Sequence, residues 1–155
     1  MKIGKKSFYF IRDKFFKLAN DPYLLKNKEN GNARPCLLAA KYTNNLIWLI
    51  PISSKIEKYK TIWSKRIKEK GFCNTIVFGT LLGKDCAFLL QNMFPITEEY
   101  LLKVYRHSHN KIVKIDDKLS MEIKQKFNEV LSLVRKGRKG IVFPDVLKIE
   151  KLLLK

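Results

Sequence analysis

The 155-residue sequence has the length of one domain, and its 46% hydrophobic content suffices for a sizeable core, which excludes a disordered basic tail. Its 32 lysines and arginines exceed its 14 acidic residues and give a formal charge of +18. Such a charge favours a polyanionic partner, most commonly nucleic acid, and the alternative is that the lysine content only reflects genome composition. No apolar run reaches the roughly 18 residues of a membrane span and no signal segment is present, so we expect one cytoplasmic domain over residues 1–155 without a membrane partner.

The N-terminal part of the chain predicts a strand, a helix and a loop. Ser7–Ile11 is aromatic and β-prone, and Arg12–Leu18 has the apolar spacing of a short amphipathic helix. Asn20-Asp21-Pro22 ends this helix, because the residue before a proline disfavours helical geometry. Lys26–Asn32 is polar and contains an Asn-Gly pair, which predicts a mobile loop.

A β-hairpin followed by a basic helix is predicted next. Arg34–Tyr42 and Leu46–Ile52 are apolar runs separated by a short turn, Thr43-Asn44-Asn45. Lys58–Lys70 is rich in lysine and ends at Gly71, a common helix-stopping residue. Its apolar positions fall on one side of a helix: Tyr59, Ile62, Trp63 and Ile67.

The following segment predicts two further strands and a capped helix. Asn74–Thr80 and Cys86–Gln91 flank the turn Gly83-Lys84-Asp85. Thr97 is a suitable N-cap for a helix that continues through His107, since two glutamates follow it and favour the positive end of a helix.

The C-terminal part predicts a strand and two helices. Ile112–Ile115 is β-prone, and the longest helix begins at Asp116 or Asp117 and ends before Gly137. Pro144 lies at the start of a short final helix. The long helix has one apolar stripe: Ile123, Phe127, Val130, Leu131 and Val134. Together the elements predict an α+β fold, a mostly antiparallel sheet with helices between and after the strands.

Several kinds of catalytic site are disfavoured by missing motifs. The sequence has no clustered carboxylates for magnesium, no glycine-rich phosphate loop and no zinc-protease or nucleophile-elbow pattern. Cys36, Cys73 and Cys86 lack metal-site spacing and are expected to be buried free thiols. His107 and His109 suggest a two-histidine ribonuclease as one alternative, and an exposed loop as the simpler one. We therefore expect no metal and no cofactor.

The segment from Pro51 to Lys60, PISSKIEKYK, is the strongest candidate site. An apolar strand ends here in two serines and three lysines, at the start of a helix. A strand end that leads into a helix presents hydroxyl and backbone N–H groups that bind phosphate. Ser54 is a possible helix cap, with Lys55 and Lys58 close together on the first turns. The simpler alternative is a capped helix with a solvated basic face.

The chain as a whole resembles the toxins of type III toxin–antitoxin systems, the ToxN/AbiQ superfamily, and most of all its CptN branch. The resemblance rests on LIWLIPISSKIEKYK from Leu46 to Lys60, AFLLQNMFPIT from Ala87 to Thr97, and FPDV from Phe143 to Val146. It implies a twisted antiparallel sheet surrounded by helices, similar to the Kid/MazF-like toxins. It also implies an endoribonuclease that processes and is inhibited by a repeat-derived RNA pseudoknot, in closed protein–RNA hetero-oligomers that serve in phage defence.

The resemblance also implies catalytic positions. Ser53 and Ser54 match the paired hydroxyls of the family site, and Arg34 matches a basic residue that opens the preceding strand. The active lysine is Lys55 or Lys58, because this chain departs from the Thr-Ser-Pro-Lys pattern of the ToxN branch. Phe15 matches an aromatic that is a tyrosine in some members, and it lacks the tyrosine hydroxyl.

These residues suit RNA cleavage by the RNA's own 2′-hydroxyl, which leaves a 2′,3′-cyclic phosphate and a 5′-hydroxyl without a metal. Arg34 would stabilise charge, the serines would position the phosphate, and a lysine would exchange protons. The alternative is a non-catalytic basic RNA-binding protein. In the toxin hypothesis, lysines along Lys58–Lys70 and Lys111–Lys126 hold the antitoxin RNA. In the alternative, the phosphate-contacting face consists of Lys60, Lys65, Arg66, Lys68 and Lys70. The candidate RNA-binding residues are Lys41, Lys60, Lys65, Arg66, Lys68, Lys111 and Lys124.

Overall fold

The computed structural model describes residues 3–26 and 34–155. The loop predicted over Lys26–Asn32 lies outside the described residues, apart from Lys26 itself. Within the described ranges the chain forms four α-helices and nine strands. They are β1 (Phe8–Ile11), α1 (Asp13–Ala19), β2 (Cys36–Lys41), β3 (Ile47–Ser53), α2 (Ile56–Lys70), β4 (Ile76–Leu81), β5 (Lys84–Leu89), β6 (Phe94–Ile96), β7 (Leu101–Val104), β8 (Arg106–His107), β9 (Lys111–Ile112), α3 (Asp117–Arg135) and α4 (Val146–Leu153).

Seven of these strands form one antiparallel sheet in the order β4-β5-β3-β2-β1-β7, with β6 also paired to β3. β2 runs along one side of β3. β5 and β6 run end to end along its other side, separated by the 3₁₀ turn Leu90–Asn92. The α+β class and the mostly antiparallel sheet predicted from the sequence are confirmed.

Helices cover both faces of the sheet, because the side chains of each strand alternate between two apolar cores. Trp48 and Ile50 of β3 pack with the buried stripe of α3 on one face. Ile47 and Leu49 point the other way, towards α1 and Ile149 of α4. Next to them, α2 covers β4 and β5 through Tyr59 and its neighbours. α2 and α3 therefore lie on opposite faces of the sheet.

The long helix agrees with its sequence prediction in both bounds and buried face. Asp116 is its N-cap and accepts a hydrogen bond from the Leu119 backbone N–H at 2.8 Å. Four residues of the predicted stripe are buried, and the fifth, Val134, packs partly buried against the same core. α3 approaches β4 closely, because a Cβ on Gly79 would lie 2.6 Å from Leu119.

The prediction of a helix from Thr97 through His107 is wrong. Glu98–Tyr100 makes one 3₁₀ turn, and the Thr97 side chain does not cap it. Leu101–Val104 instead forms β7 and pairs with β1, Tyr9 opposite Val104. Pairing with the sheet edge outweighs the local capping preference, since Leu101 is buried where it pairs with Ile11 of β1.

The strand predicted over Ile112–Ile115 is only partly formed. Lys111–Ile112 pairs with β8 in a small separate ribbon, and Lys114 makes an isolated bridge with Ser7. The turn between β4 and β5 also comes earlier than predicted, at Leu82-Gly83, where both residues have positive φ. The three cysteines are buried and free, as predicted. No helix in the described ranges is long and apolar enough to cross a bilayer.

Candidate active site

The register of the β2–β3 hairpin determines which side chains meet at the end of β3. Cys36 pairs with Pro51, so continuing the antiparallel register places Arg34 opposite Ser53. The register shifts by one residue between Leu38 and Ala40, a β-bulge. Without that bulge the pairing nearer the turn, Lys41 with Ile47, would place Arg34 opposite Ser54 instead. With the bulge, the β2–β3 register thus brings the residues before β2 to the end of β3, where Arg34 and Ser53 line the same pocket.

All five predicted catalytic residues line one open pocket of about 390 Å³ at this end of the sheet. The pocket lies where β3 ends and α2 begins, beside the residues that precede β2. The residues that line it are Leu25, Arg34, Pro35, Ile52, Ser53, Ser54, Lys55, Lys58 and Tyr59. Sequence reasoning missed Leu25, Pro35, Ile52 and Tyr59, of which Tyr59 carried only the signal of a core position.

The Ser53 hydroxyl is held in a defined position. Ser53 is only 9% exposed, and its Oγ accepts a hydrogen bond of 3.2 Å from the Lys55 backbone N–H. The prediction that Ser54 caps α2 is wrong, since Lys55 is the N-cap and Ser54 is exposed. A hydroxyl that accepts from a backbone N–H keeps its own proton for donation. Ser53 is thus suited to donate a hydrogen bond to a phosphate oxygen in the pocket.

Arg34 is tied to the end of β3. Its Nη1 donates a 3.1 Å hydrogen bond to the Ile52 carbonyl. Its Nε is buried without a hydrogen-bond partner in the described part of the chain. An unpaired buried donor costs about 1–3 kcal/mol, and this donor belongs to a side chain that lines the pocket. Because a guanidinium has five N–H donors in a planar fork, one bond to a carbonyl leaves donors for an anion.

The pocket is strongly cationic. Among the described residues that line it, Arg34, Lys55 and Lys58 are positively charged and none is acidic. The Lys58 ammonium lies 5.4 Å from the centre of the Tyr59 ring, a cation–π contact that limits its freedom. The N-terminal end of α2 adds partial positive charge from its backbone N–H groups. The arrangement fits a phosphate group.

Two solved structures share the overall fold. One is AbiQ, a lactococcal anti-phage endoribonuclease of the type III toxin–antitoxin system, which is 16% identical, with a TM-score of 0.72 over 96% of this chain and 95% of that chain. The chain has the AbiQ fold. The other belongs to a bacterial type III toxin–antitoxin system, in which a non-coding RNA pseudoknot selectively inhibits the toxin. It is 16% identical, with a TM-score of 0.60 over 96% of this chain and 98% of that chain. No family model and no curated protein matches the sequence.

The remaining candidate residues lie outside the pocket of this AbiQ-fold chain. Phe15 is fully buried against Phe94, so it belongs to the core. His107 and His109 are exposed at the β8–β9 ribbon, and neither lines the pocket. In the described ranges, no group of three histidines, cysteines or acids could hold a metal ion.

The candidate RNA-binding cations divide between exposed lysines and one arginine with internal bonds. The lysines are exposed: Lys41, Lys60, Lys65, Lys68, Lys111 and Lys124. Arg66 is only half-buried, and its Nη1 donates to Thr75 Oγ1 and Gln91 Oε1, each at 2.6 Å. These bonds connect α2 to the residue just before β4 and to the 3₁₀ turn Leu90–Asn92, so Arg66 has a structural role.

Proposed function

We propose that this chain is an endoribonuclease toxin of a type III toxin–antitoxin system. The observation that carries the proposal is the pocket in which Arg34, Ser53, Ser54, Lys55 and Lys58 meet. The fold supports it, because AbiQ is an anti-phage endoribonuclease of such a system. The resemblance of the sequence to the CptN branch points the same way. The whole chain acts as one domain, and its RNA substrates place it in the cytoplasm.

In the proposed reaction, the substrate supplies its own nucleophile. The 2′-oxygen attacks the adjacent phosphorus and loses its proton, while the bond from phosphorus to the 5′-oxygen breaks and that oxygen gains a proton. The products end in a 2′,3′-cyclic phosphate and a 5′-hydroxyl. Holding the 2′-oxygen in line with the leaving oxygen contributes on the order of 7–11 kcal/mol in the best cases.

The pocket residues have separate roles in this mechanism. Arg34 neutralises charge on the phosphate oxygens, because it remains protonated and its fork matches two of them. Ser53 donates a hydrogen bond to the same phosphate, and Ser54 is the second positioning hydroxyl. Lys55 or Lys58 exchanges protons with the attacking or leaving oxygen. These cations replace a metal ion, so the proposed reaction is metal-independent.

The proposed inhibitor is a folded antitoxin RNA, a repeat-derived pseudoknot that the chain itself processes. Lys65 and Lys68 of α2 lie on the opposite side of the sheet from Lys124 of α3. Each of the two helices therefore presents lysines to RNA on its own side of the sheet. Two RNA contacts on opposite sides of each protein chain would favour a closed protein–RNA hetero-oligomer.

The test is cleavage of RNA by the purified chain with and without EDTA. We expect cleavage to persist in EDTA, with products that carry a 2′,3′-cyclic phosphate and a 5′-hydroxyl. A Ser53→Ala preparation purified in parallel serves as the control for contaminating nucleases. Products with a 5′-phosphate, or loss of cleavage on chelation, would contradict the metal-independent mechanism. RNA binding without any cleavage would favour the non-catalytic RNA-binding alternative.

A further inference from the structure

A second surface, made of residues that do not line the pocket, combines exposed aromatic rings with cations. Tyr23, Phe72 and Phe143 are 60%, 55% and 40% exposed. Burying a ring of this size stabilises a fold by about 1.5–3 kcal/mol, so leaving three of them in water is unfavourable unless something else contacts them.

A basic loop lies between Phe72 and Phe143. Residues 134–140 read VRKGRKG, and Lys136, Arg138 and Lys139 are exposed. Arg135 is different, because it makes a bidentate ion pair with Glu150 at 2.8 and 2.9 Å. The loop is held to the end of α3 by backbone bonds, including Arg138 N–H to the Leu133 carbonyl at 3.0 Å. Its cations are therefore presented on an ordered backbone.

Two clefts flank this loop and share it as a wall. One cleft, of about 310 Å³, is lined by Phe143, and the other, of about 290 Å³, by Phe72. Arg138 and Gly140 line both clefts. Each cleft is therefore lined by an aromatic residue together with Arg138, which the two clefts share.

The surface continues towards the candidate active site through Tyr23. The Tyr23 and Phe143 rings lie 6.5 Å apart between centres. Leu25, two residues further on, lines the pocket that contains Ser53. Two residues of chain span at most about 7 Å, so the backbone of Tyr23 lies close to that of a residue in the pocket.

The backbone beneath these rings is cross-linked by polar groups. Both carboxylate oxygens of the buried Asp21 accept hydrogen bonds of 2.8 Å, one from the Tyr23 N–H and the other from the Asp145 N–H. The Asn92 side chain donates to the Tyr23 carbonyl at 3.1 Å, and the Phe143 N–H donates to the Gln91 carbonyl at 2.8 Å. Ligand binding would then lose little backbone conformational entropy beneath these rings.

We propose that Tyr23, Phe143, Phe72 and the cations of residues 136–139 bind an unpaired stretch of RNA that leads away from the pocket. This inference rests on the proposed function in taking RNA as the ligand. Cations contact the phosphates, and successive bases stack on the aromatic rings. The strand is unpaired, because a duplex keeps the faces of its bases stacked inside the helix. The chain would thus hold its substrate over several nucleotides on one side of the cleaved bond.

The test measures binding of a fluorescein-labelled, unstructured 12-nucleotide RNA to Ser53→Ala protein, which needs no cleavage. Two further variants are made in that background, Tyr23→Ala with Phe143→Ala, and Arg138→Glu with Lys139→Glu. Removing even one base–ring stack should weaken binding by about tenfold. A duplex of the same length should lose no affinity from the aromatic changes.

Matched controls come from the opposite edge of the sheet. Leu102→Ala removes a similarly exposed apolar side chain, and Lys14→Glu with Lys103→Glu reverses the same charge. We expect the Leu102 control to leave single-strand affinity unchanged and the charge control to weaken it much less than the loop variant does. Thermal melting monitors folding in every case.

Equal affinity in the aromatic variant and its control would overturn the proposal and indicate a partner other than unpaired RNA. Equal loss for duplex and single strand would overturn it as well. The proposed ribonuclease activity is judged separately, by cleavage with the unmodified chain. A chain that fails to cleave but loses single-strand affinity in these variants would refute the ribonuclease and retain this surface.

Discussion

The hydroxyl oxygen of Ser53 accepts a hydrogen bond of 3.2 Å from the backbone N–H of Lys55, at the point where β3 turns into α2. The bond orients the hydroxyl and leaves its proton available for a ligand. It also satisfies one backbone donor at the start of the helix, much as an N-cap side chain does.

Replacing Ser53 by alanine should therefore stop cleavage without unfolding the chain. We expect a rate loss of about 10²–10³-fold, as for removal of one oxyanion-hole donor, and loss of growth arrest on expression in bacteria. Removing the bond to Lys55 should lower the free energy of unfolding by about 0.5–2 kcal/mol. Ser64→Ala, an exposed position on the same helix, is the control. Full toxicity in Ser53→Ala would move the active site elsewhere.

The two pocket lysines should differ in importance. The Lys58 ammonium is held near the Tyr59 ring, whereas Lys55 is the N-cap of α2, so we expect Lys58→Ala to lose more activity than Lys55→Ala. Single-turnover cleavage rates of both variants, beside Ser54→Ala and the exposed Lys84→Ala as a control, measure this order. The reverse order would identify Lys55 as the active lysine.

Arg34→Lys should keep the positive charge but lose the planar set of N–H donors that a guanidinium provides. A lysine ammonium cannot both bind the Ile52 carbonyl and contact two phosphate oxygens in one plane. We expect the variant to fold and to cleave at least about tenfold more slowly, with most of the loss in the chemical step. Comparing Arg34→Lys with Arg34→Ala separates the two contributions. If lysine restored full activity, charge alone would explain the role of this residue.

Charge reversal at Lys65 and Lys68 together should weaken antitoxin binding and leave cleavage of a short RNA mostly intact. Each lost phosphate contact removes counterion release, so the slope of log affinity against log salt should fall by about 1–2 units. The measurement is a salt titration of Ser53→Ala protein with its repeat RNA, with and without the reversal. The Lys14→Glu, Lys103→Glu pair serves as the control. A flat salt response, or equal binding of a scrambled RNA, would argue against the antitoxin-binding hypothesis.

Cys36 should make the fold less stable at high pH. Burial raises the pKa of this thiol from its ordinary 9.0 to about 12. Between those values the unfolded chain ionises at Cys36 and the folded chain does not, so the free energy of unfolding decreases as pH rises from 9 towards 12. Cys36→Ala should show a shallower decrease in denaturant titrations over this range. Native Cys36 should also alkylate far more slowly than in the denatured chain, because the thiolate is the reactive form.

Local patterns in the sequence were sufficient to predict most of the helices and strands. The hairpin of β2 and β3 and the helices α1, α2 and α3 were predicted within two or three residues. The sequence alone also determined the charge and the positions of the buried thiols. These features depend on periodicity, turn residues or composition, all of which can be read from residues close together in the sequence. The segment PISSKIEKYK was identifiable as a site for the same reason, since its hydroxyls and lysines follow an apolar strand directly.

Only the tertiary structure decided which of these residues act together. The β2–β3 pairing brings Arg34, which precedes β2, to the end of β3, where it bonds to the Ile52 carbonyl and shares a pocket with Ser53. Pairing with β1 makes β7 a strand where the local sequence favours a helix. Arg66 looks like one more surface cation until Thr75 and Gln91 bind it. These outcomes depend on contacts between residues far apart in the chain, whose energies exceed the small local preferences that a sequence pattern records.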